Sequence, residues 1–331
     1  MARNCSNHLL TKAKINKKDE FYTRLEDVEN ELQYYGGHFK NKTVFCNCDN
    51  PKKSSFFRYF VLNFKNLQLK RVICAYYVNS QRTATNNSLN SHGKYYIYTG
   101  MENPEPSEEE MLSFRGDGDF RNCESIELLK QSDIVVTNPP FSLLREFMSM
   151  LFTNKKQFIV MGNIHAITYK EIYNGIKDGK VWLGVNYGRK ISGFFVPKDY
   201  ELYGTETRVD SEGNRFVSTN NCLWLTNLEH DKRPGFLTLT KSYKGREVYY
   251  KKYDNYNGIN VDKTCDIPYD YFGVMGVPVT FILKYNPDQF EIVSFKKGDD
   301  GKNLVIDGKQ PYFRILIKRR GLHTSVCPSG R

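Results

Sequence analysis

Apolar positions in the first half of the chain recur at two different periods. Phe21, Leu25, Val28, Leu32 and Tyr35 are spaced by four and three residues, which puts them on one helical face. Thr23 followed by Glu26 reads as a capping box at its first turn, and Gly36-Gly37 as its stop. The pattern then changes to short apolar runs, TVFCNC (43–48), LKRVICAYY (69–77), DIVVTN (133–138) and QFIVMG (157–162). Such bounded, β-branched runs predict buried strands of the parallel type. Helices are predicted between them: SSFFRYFVLNFK with Ser54 as its cap, ESIELLKQ (124–131), and Leu143 to Phe152. Ser107 would start a further short helix after the acidic, proline-bearing stretch 102–112, and residues 79–94 read as a polar surface excursion. Strands alternating with helices imply an α/β sheet.

Beyond about residue 185 the texture becomes strand-like pieces (GFFVP, CLWLT, PVTFILKY, FEIVSF, FRILIK) separated by polar turns. The expected organisation is an α/β domain over 1–190 and a β-rich region over 191–331.

Composition narrows the class. With 331 residues and 40% hydrophobic content, the chain has ample material for a packed core. It shows neither an apolar run long enough to span a bilayer nor an apolar leader, so a soluble, cytoplasmic protein is expected. The eight cysteines form no C-x-x-C pair, and no Cys/His cluster has zinc spacing, so reduced structural thiols and no metal are expected. The net charge of +11, shared by both halves of the chain, predicts attraction to a polyanion.

The sharpest chemical signal is Asn138-Pro139-Pro140-Phe141, directly after the strand DIVVTN. Ligands of open α/β sheets gather at the carboxyl ends of strands. Two prolines there fix φ and remove two N–H donors, leaving a rigid edge that only accepts. A nucleobase amine is a poor nucleophile because its lone pair is delocalised into the ring. The Asn138 side-chain oxygen and the Pro139 carbonyl can each accept one of its hydrogens and draw that pair out of conjugation, while Phe141 stacks on the base.

These residues resemble a family. N-P-P-[FYW] is the catalytic motif of amino-methyltransferases that use S-adenosylmethionine. DEFYT, VFCNCDNP, GDGDF, DIVVTNPPFS, ITYKEIYNGIK, WLGVNYGRKISGFFVP, ELYGTE, NNCLWLTNL, KYDNYNGINV and GVMGVPVTF, in that order, resemble the EcoRI-type DNA adenine-N6 methyltransferases over nearly the whole chain. The resemblance implies a Rossmann-like methyltransferase sheet with a C-terminal target-recognition region. It implies S-adenosylmethionine as methyl donor, with Phe21, Tyr22 and Thr23 on its methionine end. Asp49 and Pro51 stand where the first cofactor motif belongs, Asp119 and Phe120 at its adenine, and Asp117 shapes that loop. Two departures stand out: DNPKKSS lacks the family's glycines, and Tyr76, Tyr77 and Asn79 occupy the place of the usual ribose-binding acid.

The implied substrate is adenine N6 in double-stranded DNA, flipped out of the helix. The resemblance further suggests GAATTC as target, a monomer, and pairing with a restriction endonuclease without a stable complex. Candidate phosphate contacts are Lys52-Lys53, Arg189 and Lys190, then Lys241, Lys244, Arg246, Lys251 and Lys252 within KSYKGREVYYKKY, and Lys318-Arg319-Arg320. Phe194 and Phe195 are either a second wall of the base pocket or core. The competing readings are a methyltransferase acting on RNA or a protein amide, and a DNA-binding protein with a decayed catalytic fold.

Overall fold

The computed structural model describes residues 22–78, 92–101, 106–196, 207–209, 213–217, 220–296, 303–311 and 313–321. The chain divides into two compact units, Met1–Ile172 with Lys180–Asp231, and Tyr173–Gly179 with Lys232–Arg331.

In the first unit, β1 (Tyr22–Thr23) leads into α1 (Leu25–Leu32), β2 (Thr43–Asn47), α2 (Ser55–Leu62), β3 (Arg71–Tyr76), β4 (Lys94–Tyr98) and β5 (Leu112–Ser113). There follow α3 (Cys123–Gln131), β6 (Ile134–Thr137), α4 (Leu144–Thr153), β7 (Gln157–Asn163), β8 (Trp182–Tyr187), β9 (Phe194–Phe195), β10 (Thr207–Val209), β11 (Arg215–Val217) and β12 (Cys222–Thr226). An eight-stranded sheet has the order β5-β4-β3-β2-β6-β7-β12-β8. Its four middle strands, β3, β2, β6 and β7, are parallel. Every residue of β2 and β6 is buried, as expected of β-branched strands covered on both faces. A smaller sheet, β1-β9-β11-β10, pairs Tyr22 with Phe195 and Thr23 with Phe194.

β12 lies antiparallel between β7 and β8, with Trp224 fully buried edge-on to Phe56. The first unit therefore draws on residues well past 190, and the 190/191 boundary suggested by sequence texture does not coincide with its end at Asp231. The physical reason is that CLWLT closes the sheet only through long-range antiparallel pairing, which leaves no mark on local composition.

Several local expectations also change. Thr23 is taken up by β1, so the N-cap of α1 is Arg24, which makes no side-chain cap bond. Gly36 and Gly37 lie inside a 3-10 turn, Gln33–His38, rather than after a longer α-helix. Ser107 starts a turn in which it and Glu110 bond each other's backbone amides, and no helix follows. Ser54 does cap α2, accepting from the Phe57 amide at 3.1 Å.

On α1 two carboxylates face inward. Glu31, 0% exposed, accepts from the amides of Val185 (2.9 Å) and Asn186 (2.8 Å) and from the Tyr35 hydroxyl (2.9 Å). A side chain at Gly184 would place its Cβ 2.2 Å from a Glu31 oxygen, so this contact requires glycine. Asp27 accepts from the Ser192 amide and hydroxyl at 2.9 and 2.8 Å. Together they fasten the segment that leads into β9.

The second unit holds β13 (Ile259–Asn260), β14 (Met275–Pro278), β15 (Phe290–Lys296) and β16 (Arg314–Arg319), in the order β13-β14-β16-β15. PVTFILKY, expected as a strand, is a 3-10 segment over Val279–Lys284 that buries Phe281 against Phe290. Buried Arg314 donates to Asn260 (2.9 Å) and Asp262 (3.2 Å).

Candidate active site

The chain runs from β2 to β3 on one side and returns to β6 on the other side of β2, so the strand order reverses at β2. In an open α/β sheet that reversal leaves a crevice at the carboxyl ends of the strands on either side. Because β2, β3, β6 and β7 are parallel, their carboxyl ends share one edge.

At the end of β2, Cys48 adopts φ +68 and its amide donates to the Asn47 side-chain oxygen at 3.0 Å. The Asp49 amide donates to the Ala75 carbonyl of β3 at 2.8 Å. The Asp49 carboxylate, 9% exposed, accepts from Ser54 Oγ at 2.8 Å and from Thr137 Oγ1 at 2.7 Å. The Thr137 hydroxyl also meets the Asn47 carbonyl. Burial pushes Asp49 up to about 7, against the lowering effect of the two hydroxyls. One threonine thus ties the end of β6 to the end of β2. Pro51 is buried, Lys52 pairs with Glu108 at 2.7 Å, and Lys53 Nζ lies 5.8 Å from the centre of the Tyr22 ring.

Asn138 follows Thr137 directly, half-buried with its side-chain oxygen enclosed; Pro139 is buried and Pro140 half-buried. Phe141 opens a 3-10 turn and stands edge-on to Phe194, ring centres 6.0 Å apart. Phe194, 1% exposed, is core, whereas Phe195 is half-buried beneath the Arg24 guanidinium. Phe21 lies outside the described residues. Two enclosed polar atoms, Thr23 Oγ1 and Asn47 Nδ2, have no hydrogen-bond partner among the described residues.

The GDGDF loop sits at the carboxyl end of β3, where the Val78 amide donates to the Asp117 carbonyl at 2.9 Å. Gly118 has φ +79, and a Cβ there would lie 2.6 Å from the Tyr76 carbonyl. Asp117 shapes the loop by accepting from the Asp119 amide (3.0 Å) and the Asn122 side chain (2.8 Å). Asp119 is held by Arg121 through two bonds of 2.9 and 2.7 Å, and Arg121 also reaches Glu146 at 2.8 Å. Burial raises the Asp119 carboxyl, but the Arg121 guanidinium and amide outweigh it and keep the group below its ordinary value. Phe120 is buried against Phe147, with Arg121 over its ring. Burial, then the charges of Asp49 and Asp119, push the Cys48 thiol up. Thr137 and Arg121 had no assigned place at this site from sequence, the one signal being the adjacency of Thr137 to Asn138, whereas Ser54 entered both as a helix cap and, with Ser55, as a stand-in for the missing glycines of the cofactor turn.

Residues 9–320 match the family described as "Adenine-specific methyltransferase EcoRI". The chain belongs to this family. The EcoRI-family member from Escherichia coli, "Type II methyltransferase M.EcoRI", is 56% identical over 97% of this chain and 99% of its own. "Type II methyltransferase M.MgeORF184P" of Mycoplasma genitalium is 37% identical over 95% of this chain and 99% of its own. "Type II methyltransferase M.MpnI" of Mycoplasma pneumoniae is 34% identical over 95% and 98%. No solved structure matches. The chain is an adenine-specific DNA methyltransferase of the kind found in restriction-modification systems. No helix among the described residues is long and apolar enough to cross a membrane.

The basic residues singled out in sequence fall in both units. Arg189 and Lys190 are exposed on a turn of the first unit, Lys190 near the Tyr187 ring. In the second unit Lys241, Lys244, Arg246, Lys251 and Lys252 are all exposed, and Lys251 pairs with Asp307 at 2.5 Å. The tyrosines of that tract divide: Tyr250 and Tyr253 are buried, Tyr243 is packed against Tyr250 and Tyr271, and Tyr249 is 79% exposed.

Proposed function

We propose that this enzyme transfers a methyl group from S-adenosylmethionine to N6 of an adenine flipped out of duplex DNA. The observation that supports it most is the position of Asn138 and Pro139 at the strand-order reversal, fastened to Asp49 by Thr137. The enclosed, partnerless Thr23 Oγ1 and Asn47 Nδ2 fit a ligand with a polar amino-acid end. Tyr22, Thr23, Asp49, Pro51, Asp119 and Phe120 are the residues that hold it, in a Rossmann-like arrangement, with Arg121 sharing Asp119. When bound, S-adenosylmethionine supplies an electrophilic methyl carbon.

Asn138 Oδ1 and the Pro139 carbonyl accept the two hydrogens of the adenine amine, turning its lone pair out of the ring plane. Phe141 fixes the plane of the base. Because the prolines present no N–H, nothing on this edge competes for that lone pair. GAATTC is the proposed target, with host protection against a cognate endonuclease as the purpose, and the enzyme works as a cytoplasmic monomer. Incubation with labelled S-adenosylmethionine and plasmid DNA, followed by mapping of the modified positions, tests donor, acceptor and sequence together. Label on cytosine, or none on DNA, overturns the reading.

A further inference from the structure

Within the second unit, one turn is built to project. Asp270 receives the Tyr243 amide (2.6 Å), the Lys244 amide (3.1 Å) and the Ser242 hydroxyl (2.9 Å), and these bonds hold its carboxyl down at about 2. That clamps the turn at its start. At its far end Tyr250 is 7% exposed, and its hydroxyl donates to the Asp266 carbonyl at 2.9 Å. Between the two anchors, Glu247–Tyr249 forms a single 3-10 turn whose tip carries Val248 at 82% and Tyr249 at 79% exposure. These are the two most exposed large apolar side chains among the described residues. Lys244 and Arg246 precede them in the same turn, both exposed. The acidic neighbours are committed elsewhere: Asp270 to the clamp, and Glu247 to the Gly245 amide at 3.0 Å.

A valine and a tyrosine held in water beside two cations match one partner in particular. Duplex DNA offers phosphates to the cations and, between its base pairs, an apolar slot that opens when a step is unstacked. We propose that Val248 and Tyr249 insert at a base step of bound duplex DNA while Lys244 and Arg246 hold the flanking phosphates. This rests on the proposed action on duplex DNA and adds to it the element that deforms the helix. The rigid anchoring matters, because a tip already ordered loses little entropy on insertion.

The test uses the full chain and a duplex of about thirty base pairs centred on a site that the wild-type enzyme methylates, with dyes at both ends. Removing the tip in V248A/Y249A should weaken binding by about tenfold or more and abolish most of the bend read by energy transfer. The slope of log affinity against log salt should stay unchanged, because no charge is lost. K244Q/R246Q should instead lower that slope by about two. Tyr249→Phe should behave as wild type, since the ring and not the hydroxyl inserts. Both tip residues lie outside the core, so melting temperatures should not move. If V248A/Y249A binds and bends DNA like the wild type, the tip stays outside the helix and the proposal is overturned. If the substitution instead converts a DNA-free dimer to a monomer in sedimentation, the turn joins copies of this chain and the proposal is again wrong. A wild-type enzyme that neither binds nor methylates any duplex would remove the underlying function as well, and is recognised before any variant is made.

Discussion

Replacing Thr137 by valine keeps the shape of a fully buried side chain and removes one hydroxyl. That hydroxyl stands between the Asn47 carbonyl and Asp49 Oδ2, and its single proton serves one of them at a time, so the substitution leaves one buried acceptor short of a donor. A buried group left unsatisfied costs about 1–3 kcal/mol, and Asp49 keeps its bond from Ser54, so the expected loss of stability is about 1–3 kcal/mol. The catalytic effect should be larger than a stability change alone produces. Asn138 is the next residue, and a displacement of about 1 Å at a reacting centre costs on the order of 100-fold in rate. The variant also removes one of two bonds that lower the Asp49 carboxyl, so this group should titrate above its wild-type value of about 7. The folded value lies above the ordinary 3.8, so Asp49 favours the fold most below 3.8. It withdraws that contribution as pH rises towards 7, by about 4 kcal/mol at about 1.4 kcal/mol per unit. In Thr137→Val the decline should continue past pH 7. Urea denaturation at several pH values, with kcat measured on the same samples, reads all three effects. Thr137→Ser should restore them in part. A valine variant with the wild-type urea midpoint, kcat and pH dependence would refute the bridge between the two strands.

Three further outcomes are expected. Asn138→Ala should lose methyl transfer by at least about 100-fold while binding S-adenosylmethionine normally in calorimetry, and substantial residual transfer would contradict the proposed acceptor pair. Glu31→Gln keeps one acceptor oxygen of two and should lower stability by about 1–3 kcal/mol in urea, because the amides of Val185 and Asn186 compete for it; an unmoved midpoint would show that this fastening is dispensable. Lys252→Gln should reduce the salt slope of DNA binding by about 0.9, whereas Lys251→Gln, already paired with Asp307, should change it less; equal effects would place the two lysines alike on the DNA.

The parallel strands were legible because an unbroken β-branched run such as IVVT has few other uses, and Ser54 because a cap is a local bond. The failures share one cause, the dependence of the element on a distant partner. Thr23 has a residue three places on that suits a capping box, yet pairing with Phe194 claims it for a strand. CLWLT reads as one of several late strands, and only its register against Met161 and Val160 assigns it to the main sheet. At the site, the order of motifs pointed to Asn138–Phe141 and Asp119. The bond between Thr137 and Asp49 spans 88 positions and has no sequence signature of its own. The tyrosines of 241–253 look interchangeable in sequence, and burial alone separates Tyr249 from Tyr250 and Tyr253.

The insertion of β12 between β7 and β8 has a consequence for synthesis. β7 is made about 60 residues before the strand that covers its outer edge. At about 5–20 residues per second, roughly 3–12 seconds pass on the ribosome with the backbone of Ile159–Asn163 unpaired on that side. Every one of those residues is buried in the finished protein, so the waiting edge is apolar and open to any extended chain that meets it. The same holds permanently for a chain ended at residue 190, which contains Asn138–Phe141 and the GDGDF loop and yet would present that edge for aggregation. The shortest fragment expected to stay in solution therefore runs through Asp231, where the first unit ends, and chaperone demand during expression should peak between these two strands.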